Sequence, residues 1–182
     1  GQHVIRIAKG FEMKVVAYDK FKNPKLAKQL GFKYGAINEV FKKSDIITLH
    51  VPYNKSTHHL LNKKAFSLMK KGVYIINTAR GPIIQTSALL DALSNGKVSG
   101  AGLDVLEGEF FIREEKQMLS KNFMKEVDLK TALQNHILLN RPNVIITPHS
   151  AFNSWEALQR ILDTTILNIN SFYKKIPANA VE

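Results

Sequence analysis

The strongest constraint on this chain is a repeating order: a short apolar run, a helical pattern, then another such run. Met13–Tyr18, Ile46–His50, Val73–Asn77, Ala101–Val105 and Val144–Thr147 are of strand length, rich in Val and Ile, and without polar alternation. Runs of this kind suit parallel strands covered on both faces. Helical patterns lie between them. Val4, Ile7, Ala8 and Phe11 fall at i, i+3, i+4 and i+7. Asn23–Leu30 has Pro24 near its start and Gly31 just past its end, where proline and glycine favour helix entry and exit. Ala36–Lys43, Lys63–Lys70 and Ile84–Ser94 follow, the last stopping before Asn95-Gly96. Strands alternating with helices predict a parallel α/β sheet. Phe110–Asn140 is long, charged and without strand character, and reads as an irregular or helical insertion. Phe152–Tyr173 carries Trp155, Leu158, Ile161, Leu162, Thr165, Ile166, Ile169 and Phe172 near helical spacing, which predicts a long amphipathic helix. Lys174–Glu182 reads as a tail.

Composition narrows the classes. No apolar run approaches the roughly 18 residues of a membrane-spanning helix. There is no cysteine, which excludes disulfides, cysteine nucleophiles and thiolate metal sites and fits a reducing cytoplasm. The net charge of +11 raises the question of a nucleic-acid partner. Most of that charge is lysine scattered along the chain, with arginine only at Arg6, Arg80, Arg113, Arg141 and Arg160. Specific nucleic-acid readers lean on arginine forks and stacking aromatics, so a solvated lysine-rich surface is the favoured reading. No His/Asp/Glu cluster has metal spacing.

The opening stretch resembles half of a dinucleotide-binding unit. Such a unit has a strand, a G-x-G-x-x-G turn, a helix, a second strand and an acid about 20 residues on. Asp19 ends Val15-Val16-Ala17-Tyr18 at nearly that distance from Gly1, which takes the place of the third glycine. An acid here accepts from ribose hydroxyls and disfavours a 2′-phosphate, so the cofactor expected is NAD rather than NADP.

Four further stretches are more specific: SDIITLHVPYNKSTHHLLN (44–62), INTARGPIIQTSALLDAL (76–93), GAGLDVLEGE (100–109) and NVIITPHSAF (143–152). In this order and spacing they resemble the D-isomer-specific 2-hydroxyacid dehydrogenases, over nearly the whole chain. The resemblance implies a Rossmann-like parallel sheet with flanking helices. It makes residues 1–151 the NAD-binding domain, with the insertion at 110–140. Residues 152–182 become a helix and tail that return towards a substrate domain. It implies that Arg80 is the substrate arginine, His149 the catalytic histidine and Glu109 the carboxylate that partners it. Asp104 then lies near the nicotinamide carboxamide, Thr78 and Ala79 line the nicotinamide side, and His50, Val51 and Pro52 line the adenosine side. A homodimer is expected from the same source.

The residue types suit that chemistry. Reduction of a 2-oxo acid places a hydride on carbon and a proton on oxygen, so a fixed cation beside that oxygen is useful. An arginine fork can hold the carboxylate and polarise the 2-oxo group. An imidazole can deliver or accept the proton near neutral pH, and a carboxylate on its other nitrogen orients it. Glu107 and Glu114 compete with Glu109 for that register. His58 and His59 read as structural or solvent-exposed, and Asp45 as a cap or turn residue.

The 110–140 insertion, Leu106-Glu107-Gly108-Glu109 and His149-Ser150-Ala151-Phe152 look more like the D-lactate dehydrogenase branch, so pyruvate and D-lactate are the expected pair. Family members carry a substrate domain and a first Rossmann strand ahead of Gly1. Without them the stretch alone is expected to bind NADH poorly and turn over little. Two other readings stand beside the enzyme: a non-catalytic dinucleotide-sensing interaction module, and an inactive fragment of such a dehydrogenase.

Overall fold

The computed structural model describes residues 1–108, 129–176 and 178–180. Two compact units divide it, residues 1–147 and 148–182. In the first unit the elements run α1 (Gln2–Gly10), β1 (Val16–Ala17), α2 (Pro24–Leu30), β2 (Lys33–Tyr34), α3 (Ile37–Lys43), β3 (Ile46–Leu49), α4 (Lys63–Leu68), β4 (Val73–Asn77), α5 (Thr86–Ser94), β5 (Val98–Leu103), α6 (Leu129–Leu139) and β6 (Val144–Ile146). A 3-10 turn, Gly81–Ile83, precedes α5.

Local chemistry sets several boundaries. The Asn23 side chain accepts from Leu26 N–H and Pro24 takes the first turn of α2, while Gly31 leaves it at φ 67°, a conformation open to glycine. Asn62 caps α4 in the same way through Ala65 N–H. The β2 strand has no apolar run to announce it, since only Lys33 and Tyr34 pair with Val16 and Ala17.

Among the described residues, β3, β4, β5 and β6 form one sheet in that order, every pair parallel, and β1–β2 form a separate parallel pair. One sheet face is the core. Ile47, Leu49, Val73, Ile75, Val98, Ala101 and Leu103 pack there with Phe41 of α3, Phe66 of α4, Ala88 and Leu89 of α5, and Leu138 of α6. The apolar runs suggested cover on both faces. The structure differs: Ile46 is 48% exposed, Tyr74 50% and Ile145 72%. Strand pleating sends alternate residues to opposite faces, so these three share the uncovered side. Gly100 and Gly102 lie opposite Tyr74 and Ile76 in the ladder, where an added Cβ would meet those side chains at 3.1 Å.

The 110–140 insertion resolves in part. Residues 129–139 are the helix α6, with Asn135 and Leu138 buried, and its earlier portion lies outside the described residues. The second unit is built on α7 (Trp155–Tyr173), capped by the Ser154 hydroxyl accepting from Ala157 N–H. None of the α7 residues is buried.

Candidate functional site

The parallel register aligns the strand ends. Leu49 pairs with Asn77, Asn77 with Leu103, and Leu103 with Ile146. The residues that follow, His50, Thr78, Asp104 and Thr147, therefore stand in one row along the carboxyl edge of the sheet. At the usual strand spacing that row is about 14 Å long. Open α/β sheets place their ligands at this edge.

Thr78, Ala79 and Arg80 form the turn after β4, and buried Asn77 shapes it. Its side-chain oxygen accepts from Ala79 N–H at 3.0 Å, and its Nδ2 donates to Arg80 O at 3.0 Å. An amide is required here, because both a donor and an acceptor are used. The Arg80 guanidinium is exposed and donates from Nη1 to Ala79 O at 2.6 Å. Its remaining donors meet no acceptor among the described residues, so the fork is available for an anion. Asp104 is 4% exposed and accepts from the Thr147 hydroxyl at 2.5 Å, while its N–H donates to Asn77 O at 2.9 Å. The ends of β4, β5 and β6 are thus joined by polar bonds.

The other expected cofactor residues lie towards β3 and β1. Gly1 opens α1 and stands beside His50, where a Cβ would meet the histidine Cβ at 3.6 Å. That is ordinary contact, so packing on His50 does not by itself demand glycine at position 1. His50 Nε2 lies 2.9 Å from Thr48 Oγ1. Burial lowers the His50 imidazole below its ordinary pKa. Val51 packs on the core and Pro52 O accepts from the Thr57 hydroxyl at 2.7 Å. Asp19 follows β1, and its Oδ1 accepts from Phe21 N–H at 2.8 Å. The carboxylate is exposed and keeps acceptor capacity for hydroxyl donors. An acid after a strand, a row of turns at the sheet's carboxyl edge and a buried carboxylate at Asp104 are a set of polar groups that fits a dinucleotide.

His149 belongs to the second unit. Its backbone takes φ 52°, a left-handed conformation uncommon outside glycine. Its ring meets the edge of Phe152 with centroids 6.2 Å apart. Glu109 lies outside the described residues. Among those residues no group of three or more His, Asp or Glu could hold a metal ion, and no helix is long and apolar enough to cross a membrane.

Two polar residues acquire partners that the sequence did not suggest. His59 Nε2 lies 2.5 Å from Glu107 Oε1, across 48 residues of sequence. Only the fold brings such a pair together, so neither residue carried a local signal. Burial raises the Glu107 carboxyl, and bonds from His59 and Thr86 outweigh it, so the net shift is downward. His58 stacks on His59 with centroids 3.8 Å apart. Asp45, read as a cap or turn residue, pairs with Lys70 at 2.7 Å on the surface.

The family model for the D-isomer specific 2-hydroxyacid dehydrogenase NAD binding domain matches residues 1–151. A 2-hydroxyacid dehydrogenase homolog of Haemophilus influenzae is 41% identical over 172 residues, covering 93% of this chain and 48% of that protein. The D-lactate dehydrogenase of Lactiplantibacillus plantarum is 39% identical over 174 residues, covering 94% of this chain and 49% of its own. Among solved structures, the D-lactate dehydrogenase of Aquifex aeolicus complexed with NAD and lactic acid matches with a TM-score of 0.84 at 41% identity. That match covers 97% of this chain and 51% of the other. The chain spans about half the length of the curated relatives it matches.

Proposed function

The chain belongs to the D-isomer-specific 2-hydroxyacid dehydrogenase family, and we propose that it is the dinucleotide-binding part of an NAD-dependent enzyme interconverting a 2-oxo acid and a D-2-hydroxy acid. The observation that carries this is the aligned row of strand ends, with Arg80 presented beside it on a turn locked by Asn77. Pyruvate and D-lactate are the proposed pair, in keeping with the names of the Lactiplantibacillus plantarum relative and the Aquifex aeolicus structure.

In this reading NAD, when bound, supplies or takes up the hydride. Asp19 accepts from the adenosine ribose hydroxyls. Gly1 takes the place of the motif's third glycine at the start of α1, His50, Val51 and Pro52 line the adenosine side, Thr78 and Ala79 line the nicotinamide side, and Asp104 lies near the carboxamide. Arg80 holds the substrate carboxylate and stabilises the negative charge that grows on the 2-oxo oxygen, a role worth about 10²–10³ in rate. His149 delivers the proton to that oxygen and removes it in the reverse direction, worth about 10²–10⁴. Glu109 orients His149. Both Glu107 oxygens are committed to His59 and Thr86, which favours Glu109 over Glu107 for that task. The 182 residues on their own are proposed to turn over slowly, since β1–β2 and the β3–β6 sheet share no ladder among the described residues.

The test is His149→Ala in the full-length protein. Loss of about 10²–10⁴ in kcat with NADH affinity retained supports the enzyme. A wild-type protein that binds NADH and reduces no 2-oxo acid supports the sensing module instead. A homodimer is the proposed assembly, and sedimentation of the full-length protein tests it.

A further inference from the structure

The Glu107 carboxylate joins segments that are distant in sequence. Oε1 lies 2.5 Å from His59 Nε2, while Oε2 accepts from the N–H of Thr86 at 3.1 Å and from its hydroxyl at 2.8 Å. Thr86 is the first residue of α5, and Gln85 before it gives no side-chain cap. Glu107 therefore supplies that cap from another loop, where the helix dipole also favours an anion. Its own carbonyl accepts from Asn135 Nδ2 of α6 at 2.8 Å.

The segments it joins surround the Arg80 turn. His59 N–H donates to Pro82 O at 2.9 Å, Leu61 N–H to Ile83 O at 3.1 Å, and Gln85 N–H to Leu61 O at 3.0 Å. Gly81 packs so closely that a Cβ there would stand 2.0 Å from Leu106 O. Asn77 fixes the upstream half of the turn, as described above. The downstream half, from Gly81 to Thr86, is held between 59–61 and 106–107, and the Glu107 side chain reaches from the second of these flanks to His59 in the first and to Thr86 at the end of the turn. The Glu107 side chain is only 19% exposed, so its charge needs these bonds to offset lost hydration. Filling space there did not require an acid.

We propose that Glu107 is a positioning residue for Arg80: by tying His59 to the start of α5 it fixes the turn from which the guanidinium reaches the substrate carboxylate. This rests on the reading of Arg80 given above. It acts on the substrate side, because Asp19 and His50 lie after β1 and β3, outside the clamp, and Thr78 and Ala79 lie in the half of the turn that Asn77 holds.

The experiment uses the full-length protein with Glu107→Ala, Glu107→Gln and His59→Gln. Hydrogen exchange is read at the amides of Ile83, Ile84, Gln85 and Thr86, beside KM for pyruvate, kcat and NADH affinity. Glu107→Ala is expected to speed exchange at those four amides and raise KM for pyruvate, each by at least about tenfold, with β4 protection and NADH affinity unchanged. Glu107→Gln falls between, because its amide oxygen still accepts from Thr86. Uniform loss of protection across β4 and α5, or no change in exchange and KM, overturns the proposal. If the wild type reduces no 2-oxo acid, the functional reading fails while the exchange result still decides the clamp. If Glu107→Ala does not fold, Thr86→Val, which removes only the hydroxyl bond, decides it by the same four amides.

Discussion

Gly81→Ala is the most demanding perturbation of this architecture. A methyl at position 81 would stand 2.0 Å from Leu106 O, 2.1 Å from Leu106 C and 2.5 Å from Glu107 N. All three are backbone atoms of the loop after β5, so no rotamer change relieves the clash. Either the Arg80 turn or the 106–107 loop must move, and both are tied elsewhere by Asn77, Thr86 and Asn135. Overpacking costs about 1–3 kcal/mol when side chains can adjust, so a backbone clash belongs at or above the upper figure. A cost of about 3 kcal/mol lowers Tm by about 6–12 °C in a protein of this size. Gly102→Ala is the control. Its Cβ would meet only the far end of Ile76, at 3.1 Å, which can turn aside. Thermal unfolding followed by circular dichroism should place Gly81→Ala far below the wild type and Gly102→Ala close to it. A Gly81→Ala shift under about 2 °C, or one no larger than that of Gly102→Ala, refutes the close approach of the two loops.

Asn77→Ala removes the part-buried bonds to Ala79 N–H and Arg80 C=O. Each lost bond costs about 0.5–1.5 kcal/mol, and urea unfolding should show the loss alongside a raised KM for the 2-oxo acid. Asp19→Ala should weaken NADH binding by about 10- to 100-fold in a fluorescence titration while leaving the Arg80 turn intact, as expected for losing hydrogen bonds to a charged group. Glu107 has its carboxyl held below the ordinary value, since bonds from His59 and Thr86 outweigh burial. Its contribution is therefore complete above the unfolded carboxyl range and disappears as pH falls through the depressed folded value. The Tm gap between wild type and Glu107→Gln should hold from neutral pH to about pH 5 and close below it. A gap that widens below about pH 5 contradicts the assignment.

The parallel sheet was legible because Val73–Asn77 and its neighbours are apolar runs that cannot pair without burying a face. The ends of α2 were legible from Pro24 and Gly31, which stand next to the helix they delimit. Two features were not. Apolar residues on both sides of a strand indicate that both faces can be buried, not what covers them, so Ile46, Tyr74 and Ile145 gave no hint of an open face. The start of α5 is capped by Glu107 from 21 residues away. A cap supplied across the fold leaves no mark in the local sequence, and for the same reason His59 read only as structural or solvent-exposed. Arg80 stood out through the family resemblance that its neighbours carry, and the structure gives two of them, Asn77 and Gly81, a physical reason.

The most direct measurement is the reduction of pyruvate by NADH with the full-length protein, the product resolved into its two enantiomers. The account predicts NADH-dependent formation of D-lactate, or of another D-2-hydroxy acid if a different 2-oxo acid serves better, and its loss in Arg80→Lys, which keeps the charge and removes the fork. An L-product, or no NADH oxidation with any 2-oxo acid by a folded protein, contradicts it.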